Sequence, residues 1–235
     1  MCIRDSHNID LFVIPDFTTL VPAQQILQSS SPSSSSPDTA AANTVQLGAQ
    51  DTFHAARGPY TGEVSPLNLS QIGVRIVEIG HAERRRLFHE TDAEVAQKAA
   101  AVQQHGMVPL VCVGEKALPP KIASAAVGAA LNEIEPQVKA VMAAVSDDAD
   151  VILAYEPVWA IGAAEPADAD HVVGVTRALW HMLAGRKGRT RILYGGSAGP
   201  GTFAKLKDGV DGLFLGRFAH DVKNLEKVIM EMSEP

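Results

Sequence analysis

Short apolar runs rich in β-branched residues recur along the chain, each followed by Gly, Pro or a polar turn and then by a longer segment with helical spacing. The runs cover residues 11–14, 45–47, 74–79, 109–113, 151–155, 191–194 and 212–215. A run of this length between turn signals reads as a strand covered on both faces, and its alternation with helical segments predicts parallel β/α units, seven in all.

Several helices carry their own end signals. Thr91 with Glu94 three residues on is a capping box, in which each side chain satisfies a backbone N–H near the other. It predicts a helix over 92–105 that stops at Gly106. Pro200 after Gly199 reads as a first-turn proline, and Val222, Leu225, Val228 and Ile229 have the spacing of a helix over 222–230. Two stretches break the pattern. SSSPSSSSPD at 29–38 has two prolines and no apolar residue, which predicts a flexible surface insertion at about 29–40 rather than a domain boundary. Met1 to Ser6 has no periodicity or cap linking it to the rest of the chain. Residues 1–10 therefore read as a non-native or disordered start, and 11–235 as one domain.

Composition narrows the class. The 235 residues are 46% hydrophobic, enough for a full core, which excludes disordered and fibrous chains. Net charge is −7 and the longest basic block is Arg84, Arg85 and Arg86, so no broad nucleic-acid or anionic-membrane partner is expected. No apolar run reaches the roughly 18 residues of a membrane span, and the start is too polar for a signal peptide. Cys2 and Cys112 lie far apart with no metal-ligand spacing. No metal or disulfide framework is expected, and a reducing cytoplasm is the default location.

In a parallel barrel the loops after the strands share one face, so polar residues just beyond strand ends converge. Three such places stand out: His81 and Glu83 after the third run, Glu156 before Pro157 after the fifth, and Gly195, Gly196 and Ser197 after the sixth. Taken singly, a strand-end His is usually a structural hydrogen-bonder and a Glu before Pro a turn residue. Their joint wording is more specific. YTGEVSP (60–66), EIGHAERRRLF (78–88), LVCVGE (110–115), AYEPVWAIG (154–162) and YGGSAGPG (194–201) occur in one order. From about residue 11 to 230 the chain closely resembles the triosephosphate isomerase family.

The resemblance implies a (β/α)₈ TIM barrel of α/β class. Its activity would be the interconversion of dihydroxyacetone phosphate and glyceraldehyde 3-phosphate through an enediolate, a cytoplasmic step of glycolysis and gluconeogenesis that needs no cofactor or metal. Glu156 matches the general base and His81 the neutral imidazole that polarises the carbonyl, with Glu83 in support. Gly162, Ser197 and Gly216 match positions that hold the substrate phosphate through backbone N–H groups, and residues 157–161 match an apolar lid that excludes water. Thr61 matches a loop that reaches into a partner subunit, implying a homodimer.

The chain also departs from the family. The family's first strand carries an Asn-x-Lys pair, yet none of Asn8, Asn43, Asn68, Asn132 and Asn224 has lysine two residues later. The first run found here resembles the family's second strand, so the first β/α unit, roughly 35 to 40 residues, reads as absent. An open barrel edge and a turnover lowered about 10²- to 10³-fold are expected. Arg217 follows Gly216 where the family generally has a second glycine, and the lid continues Gly162, Ala163, Ala164, Glu165 without the usual Thr-Gly-Lys. With FVIPDFTTL (12–20) and GLFLGR (212–217), these features look like the branch that isomerises four-carbon erythrulose phosphates, the alternative substrate reading. Arg217 then either makes a surface ion pair or offers planar charge to the substrate. A non-catalytic barrel or an inactive truncated fragment is the alternative of another class. Arg84 and Arg85 are expected to pair with acidic partners under the barrel mouth, and Cys112 to be core.

Overall fold

The computed structural model describes residues 2–5, 8–30, 45–118, 120, 123–162 and 166–233. Eight strands close into a barrel: β1 (Cys2–Asp5), β2 (Asn8–Val13), β3 (Gln46–Ala49), β4 (Ile76–Ile79), β5 (Val108–Val113), β6 (Val151–Tyr155), β7 (Thr190–Tyr194) and β8 (Gly212–Leu213). All seven expected strands are present, each within a few residues of its apolar run, and from β2 to β8 every neighbouring pair is parallel.

The eighth place is filled by the segment expected to lie outside the domain. Cys2–Asp5 pairs antiparallel with β2, Ile3 opposite Asp10, and antiparallel with β8, Ile3 opposite Gly212. This corrects the expectation of a disordered start and an open edge. Seven parallel strands leave two rows of unpaired backbone groups, one on β2 and one on β8, and a single extended segment between them satisfies both. The direction follows from chain length. Two residues separate Asp5 from Asn8, far too few for a parallel crossover. No motif marks the segment because backbone pairing does not depend on side-chain identity.

Around the barrel run α1 (Leu20–Ser30), α2 (Pro66–Ile72), α3 (Ala82–Leu87), α4 (Asp92–Gln104), α5 (Ala123–Ala144), α6 (Ala169–Met182), α7 (Thr202–Leu206) and α8 (Val222–Ser233). The capping box forms as expected: Thr91 N donates to Glu94 Oε2 at 2.8 Å and Glu94 N to Thr91 Oγ1 at 3.2 Å. Pro200 is not in a first turn; α7 begins at Thr202, after Gly201 in the left-handed region (φ 81°). Ser29 and Ser30 belong to α1, and the rest of the expected insertion lies outside the described residues.

Strand alternation divides the core in two. Phe12, Ile76, Leu110, Cys112, Ile152, Ala154, Leu193 and Phe214 fill the barrel interior, while Val77, Val111, Leu153, Tyr155 and Ile192 point outward into the layer under the helices. One ionic cluster is sealed between barrel and helices. Lys98 of α4 donates to Asp51 at 2.8 Å and pairs with Glu90, and Arg84 reaches Asp51 at 2.7 Å; Arg85 bonds the Gly80 carbonyl at 2.7 Å and Asp92. Both arginines thus have the acidic partners expected. No helix among the described residues is long and apolar enough to cross a membrane.

Candidate active site

β4 ends at Ile79, and Gly80 in the left-handed region (φ 71°) turns the chain so that His81 caps the N-terminus of α3. The ring Nδ1 accepts the Glu83 backbone N–H at 3.3 Å. An accepting Nδ1 carries no proton, so the neutral ring holds its hydrogen on Nε2, which faces Glu156 Oε2 at 3.6 Å. Burial disfavours the imidazolium and lowers the His81 pKa. The Glu83 carboxylate opposes this, but it lies 3.9 Å from Nδ1 with 66% of its side chain in solvent, too distant and too wet to hold the charge.

Glu156 follows β6 and is 4% exposed. Two glycines make that burial possible. A Cβ on Gly195 would stand 2.5 Å from Glu156 Cγ, and one on Gly114 would stand 1.9 Å from the Glu156 carbonyl oxygen. Burial, then the like charge of Glu78, raises the Glu156 pKa well above the carboxylate range. Oε2 has no hydrogen-bond partner among the described residues, so a strongly basic oxygen is left uncommitted.

The backbone after Glu156 forms a short 3₁₀ turn, Val158–Ala160, tethered from beneath. Buried Glu115 accepts three bonds through Oε1: from Trp159 Nε1 at 2.8 Å, from the Tyr155 hydroxyl at 3.2 Å, and with His171 Nε2 at 3.1 Å. On the other side Ser197 Oγ meets the Ala160 carbonyl at 3.4 Å. The expected lid is therefore anchored at its root by β5, β6, α6 and the loop after β7. Residues 163–165 lie outside the described residues.

A cleft of about 870 Å³ opens from Glu156 and is walled by Gly80, Glu83, Cys112, Lys116, Val158 and Ile161, among others. It brings Glu83 and Glu156 to one space. His81, Gly162, Ser197, Gly216 and Arg217 are not among its walls; Ser197 follows β7, and Gly216 and Arg217 follow β8. Arg217 is exposed at the start of a 3₁₀ turn and makes no ion pair with another described residue, so of its two readings the surface salt bridge does not form among the described residues.

The family described as triosephosphate isomerase matches residues 2–232. The chain belongs to the triosephosphate isomerase family. The relatives it matches include isomerases of two names. One from Pectobacterium atrosepticum, named L-erythrulose-1-phosphate isomerase, is 44% identical over 90% of this chain and 76% of its own. Another so named, from Rhizobium etli, is 37% identical over 96% of this chain and 80% of its own. A triosephosphate isomerase from Thermoanaerobacter pseudethanolicus is 34% identical over 94% and 85%.

For this member of the triosephosphate isomerase family, sequence reading missed Glu78, the pairing of Glu115 with His171, and the room that Gly114 and Gly195 make. Glu78 stands on the inner face of β4 among apolar neighbours, and a charged residue in phase with Ile76 was the available signal. Glu115 and His171 are separated by 56 positions and meet only in the fold. Gly195 stands out in the sequence only as a strand-end residue and Gly114 only as part of LVCVGE, whereas their lack of a side chain is what accommodates Glu156.

Proposed function

We propose that this protein isomerises a four-carbon ketose phosphate, L-erythrulose 1-phosphate, by enediolate proton transfer. The observation that carries the substrate is the 44% identity over 90% of the chain to a relative of that name, against 34% to the triosephosphate isomerase. Arg217 in place of a glycine supports the same branch. The main expectation, a three-carbon substrate, becomes the second reading, supported by the family match itself.

The chemistry follows from the substrate. L-erythrulose 1-phosphate is dihydroxyacetone phosphate with one hydroxymethyl group added on the carbon across the carbonyl from the phosphate. That carbon, C3, still bears one hydrogen. Glu156 takes this proton while His81 Nε2–H donates to the C2 oxygen. The enediolate spans C2 and C3; His81 gives its Nε2 proton to the C2 oxygen and takes the proton of the C3 hydroxyl, and Glu156 returns its proton to C2 as C3 becomes the carbonyl. Because C1 carries the phosphate, the carbonyl moves inward and the product is again a ketose. The same residues acting on dihydroxyacetone phosphate give the aldose. The phosphate belongs to the backbone N–H groups of Gly162, Ser197 and Gly216, with Arg217 beside them, and Glu83 supports His81.

The reading includes a cytoplasmic homodimer formed through the loop around Thr61. Exposed Tyr60, Leu87 and Phe88 support the dimer, which light scattering on the purified chain tests. The substrate is tested by following both phosphates with ³¹P NMR in D₂O, where slow turnover accumulates visible product. A higher kcat/KM on L-erythrulose 1-phosphate and deuterium at the new carbinol carbon are expected; preference for dihydroxyacetone phosphate returns the three-carbon reading. Arg217→Gly is expected to move the ratio of specificity constants towards the smaller substrate, and an unchanged ratio removes Arg217 from substrate choice.

A further inference from the structure

Three ionisable side chains form a diagonal row on the inner wall of the barrel, one from β4, one from β5 and one from the residue just after β6. The register sets Glu78 of β4 opposite Leu110, two residues before Cys112 of β5, and sets Cys112 opposite Ala154, two residues before Glu156. The Cys112 thiol donates to Glu78 Oε1 at 4.0 Å, a long sulfur bond, and lies beside the Glu156 carboxyl. The rest of this wall is apolar, with Phe12, Ile76, Leu110, Ile152 and Leu193.

Among the described residues no cation is paired with the row: Arg86 and Lys116, which wall the cleft beside it, are exposed to solvent. His81 stands 3.6 Å from Glu156, its Nδ1 accepting a backbone N–H as a neutral ring does. Arg85, the cation that acts on Cys112, is committed to the Gly80 carbonyl and Asp92. Asp51, which acts on Glu78, is paired with Lys98 and Arg84, and Glu83 adds a further negative group. Packing does not explain a carboxyl here, since an aliphatic residue would continue the interior cluster.

We propose that Glu78 is a positioning residue acting through Glu156: the two carboxyls form a coupled pair bridged by the Cys112 thiol, and the charge on Glu78 sets the proton affinity of the base. The catalytic half of this statement rests on the reading of Glu156 as base given above. Two carboxyls on either side of one thiol in an otherwise apolar wall release their protons in two steps that belong to the pair. Burial, then Asp51 and Glu83, push the Glu78 pKa up to about 8, and Glu78 is the largest charge raising that of Glu156. A more basic carboxylate has more driving force for taking a proton from carbon.

The test is a ¹³C NMR titration of the full chain labelled at glutamate Cδ, with the Glu156 resonance assigned by its loss in Glu156→Gln. In Glu78→Gln the Glu156 midpoint is expected to fall by about one pH unit or more. Glutamine has the shape of the protonated acid, which protects the fold. Glu78→Asp retains the charge and is expected to hold the midpoint near its original value. An unchanged midpoint in Glu78→Gln overturns the coupling, and an equal fall in both variants overturns it by assigning the effect to packing. The acid limb of kcat/KM, read on slow turnover, is expected to fall with the NMR midpoint while KM stays constant. A shifted midpoint with an unmoved acid limb overturns the premise that Glu156 is the base and leaves the coupling established, so the two failures are distinct.

Discussion

At the scale of the residue, the site is built by removing alternatives from two side chains. His81 has one ring nitrogen occupied by the backbone and one left to face Glu156; Glu156 has one oxygen without a partner among the described residues. Small neighbours are as necessary as the polar groups. Gly195→Ala would drive a methyl against Glu156 Cγ and turn the carboxyl away. A fall in kcat of about 10²-fold, with near-native thermal stability, is expected in a turnover assay and a melting curve. The buried acids also predict a pH dependence of folding. Glu78 has its pKa raised from 4.5 to about 8, so between those values the folded chain holds a proton that the unfolded chain has lost. Stability from this group is therefore full below pH 4.5 and falls as pH rises towards 8. Urea unfolding of wild type and Glu78→Gln across that range is expected to show the variant gaining relative to wild type as pH rises.

At the scale of the element, strands aim the chemistry and helices hold the strands. α4 begins on the capping box of Thr91 and Glu94, which fixes the register that carries Lys98 to Asp51 and Glu90. Lys98→Met leaves both carboxylates buried without their ammonium. A loss of about 3–5 kcal/mol in unfolding free energy is expected from chemical denaturation. The turn after Glu156 depends on another union of elements, with Glu115 joining β6, α6 and Trp159. None of these pairings is local in sequence. The capping box was legible because its partners are three residues apart; the ionic cluster was legible only as an expectation that Arg84 and Arg85 would find acids.

At the scale of the whole molecule, closure is the governing feature. A parallel barrel carries its catalytic loops on one face only while the ring is complete, and here β1 completes it by pairing backward against β2 and β8. A chain shortened to begin at residue 8 leaves both edges bare. It is expected to melt at lower temperature and to form larger species by size-exclusion chromatography. The position is also the one at which the family pattern places an Asn-x-Lys pair, and the ladder fills it without supplying that pair.

The sequence by itself determined the seven parallel strands, the family, and the strand-end places of His81 and Glu156. These rest on local patterns: apolar runs, turn residues, and motifs a few positions long. Only the tertiary structure decided that Cys2–Asp5 is a strand, that Glu78 stands two register steps from Glu156, and that Arg217 makes no ion pair with another described residue. Each of these depends on what lies opposite a residue across the barrel. The field at a carboxyl and the pairing of a backbone edge are set by neighbours distant in sequence, which no local pattern encodes.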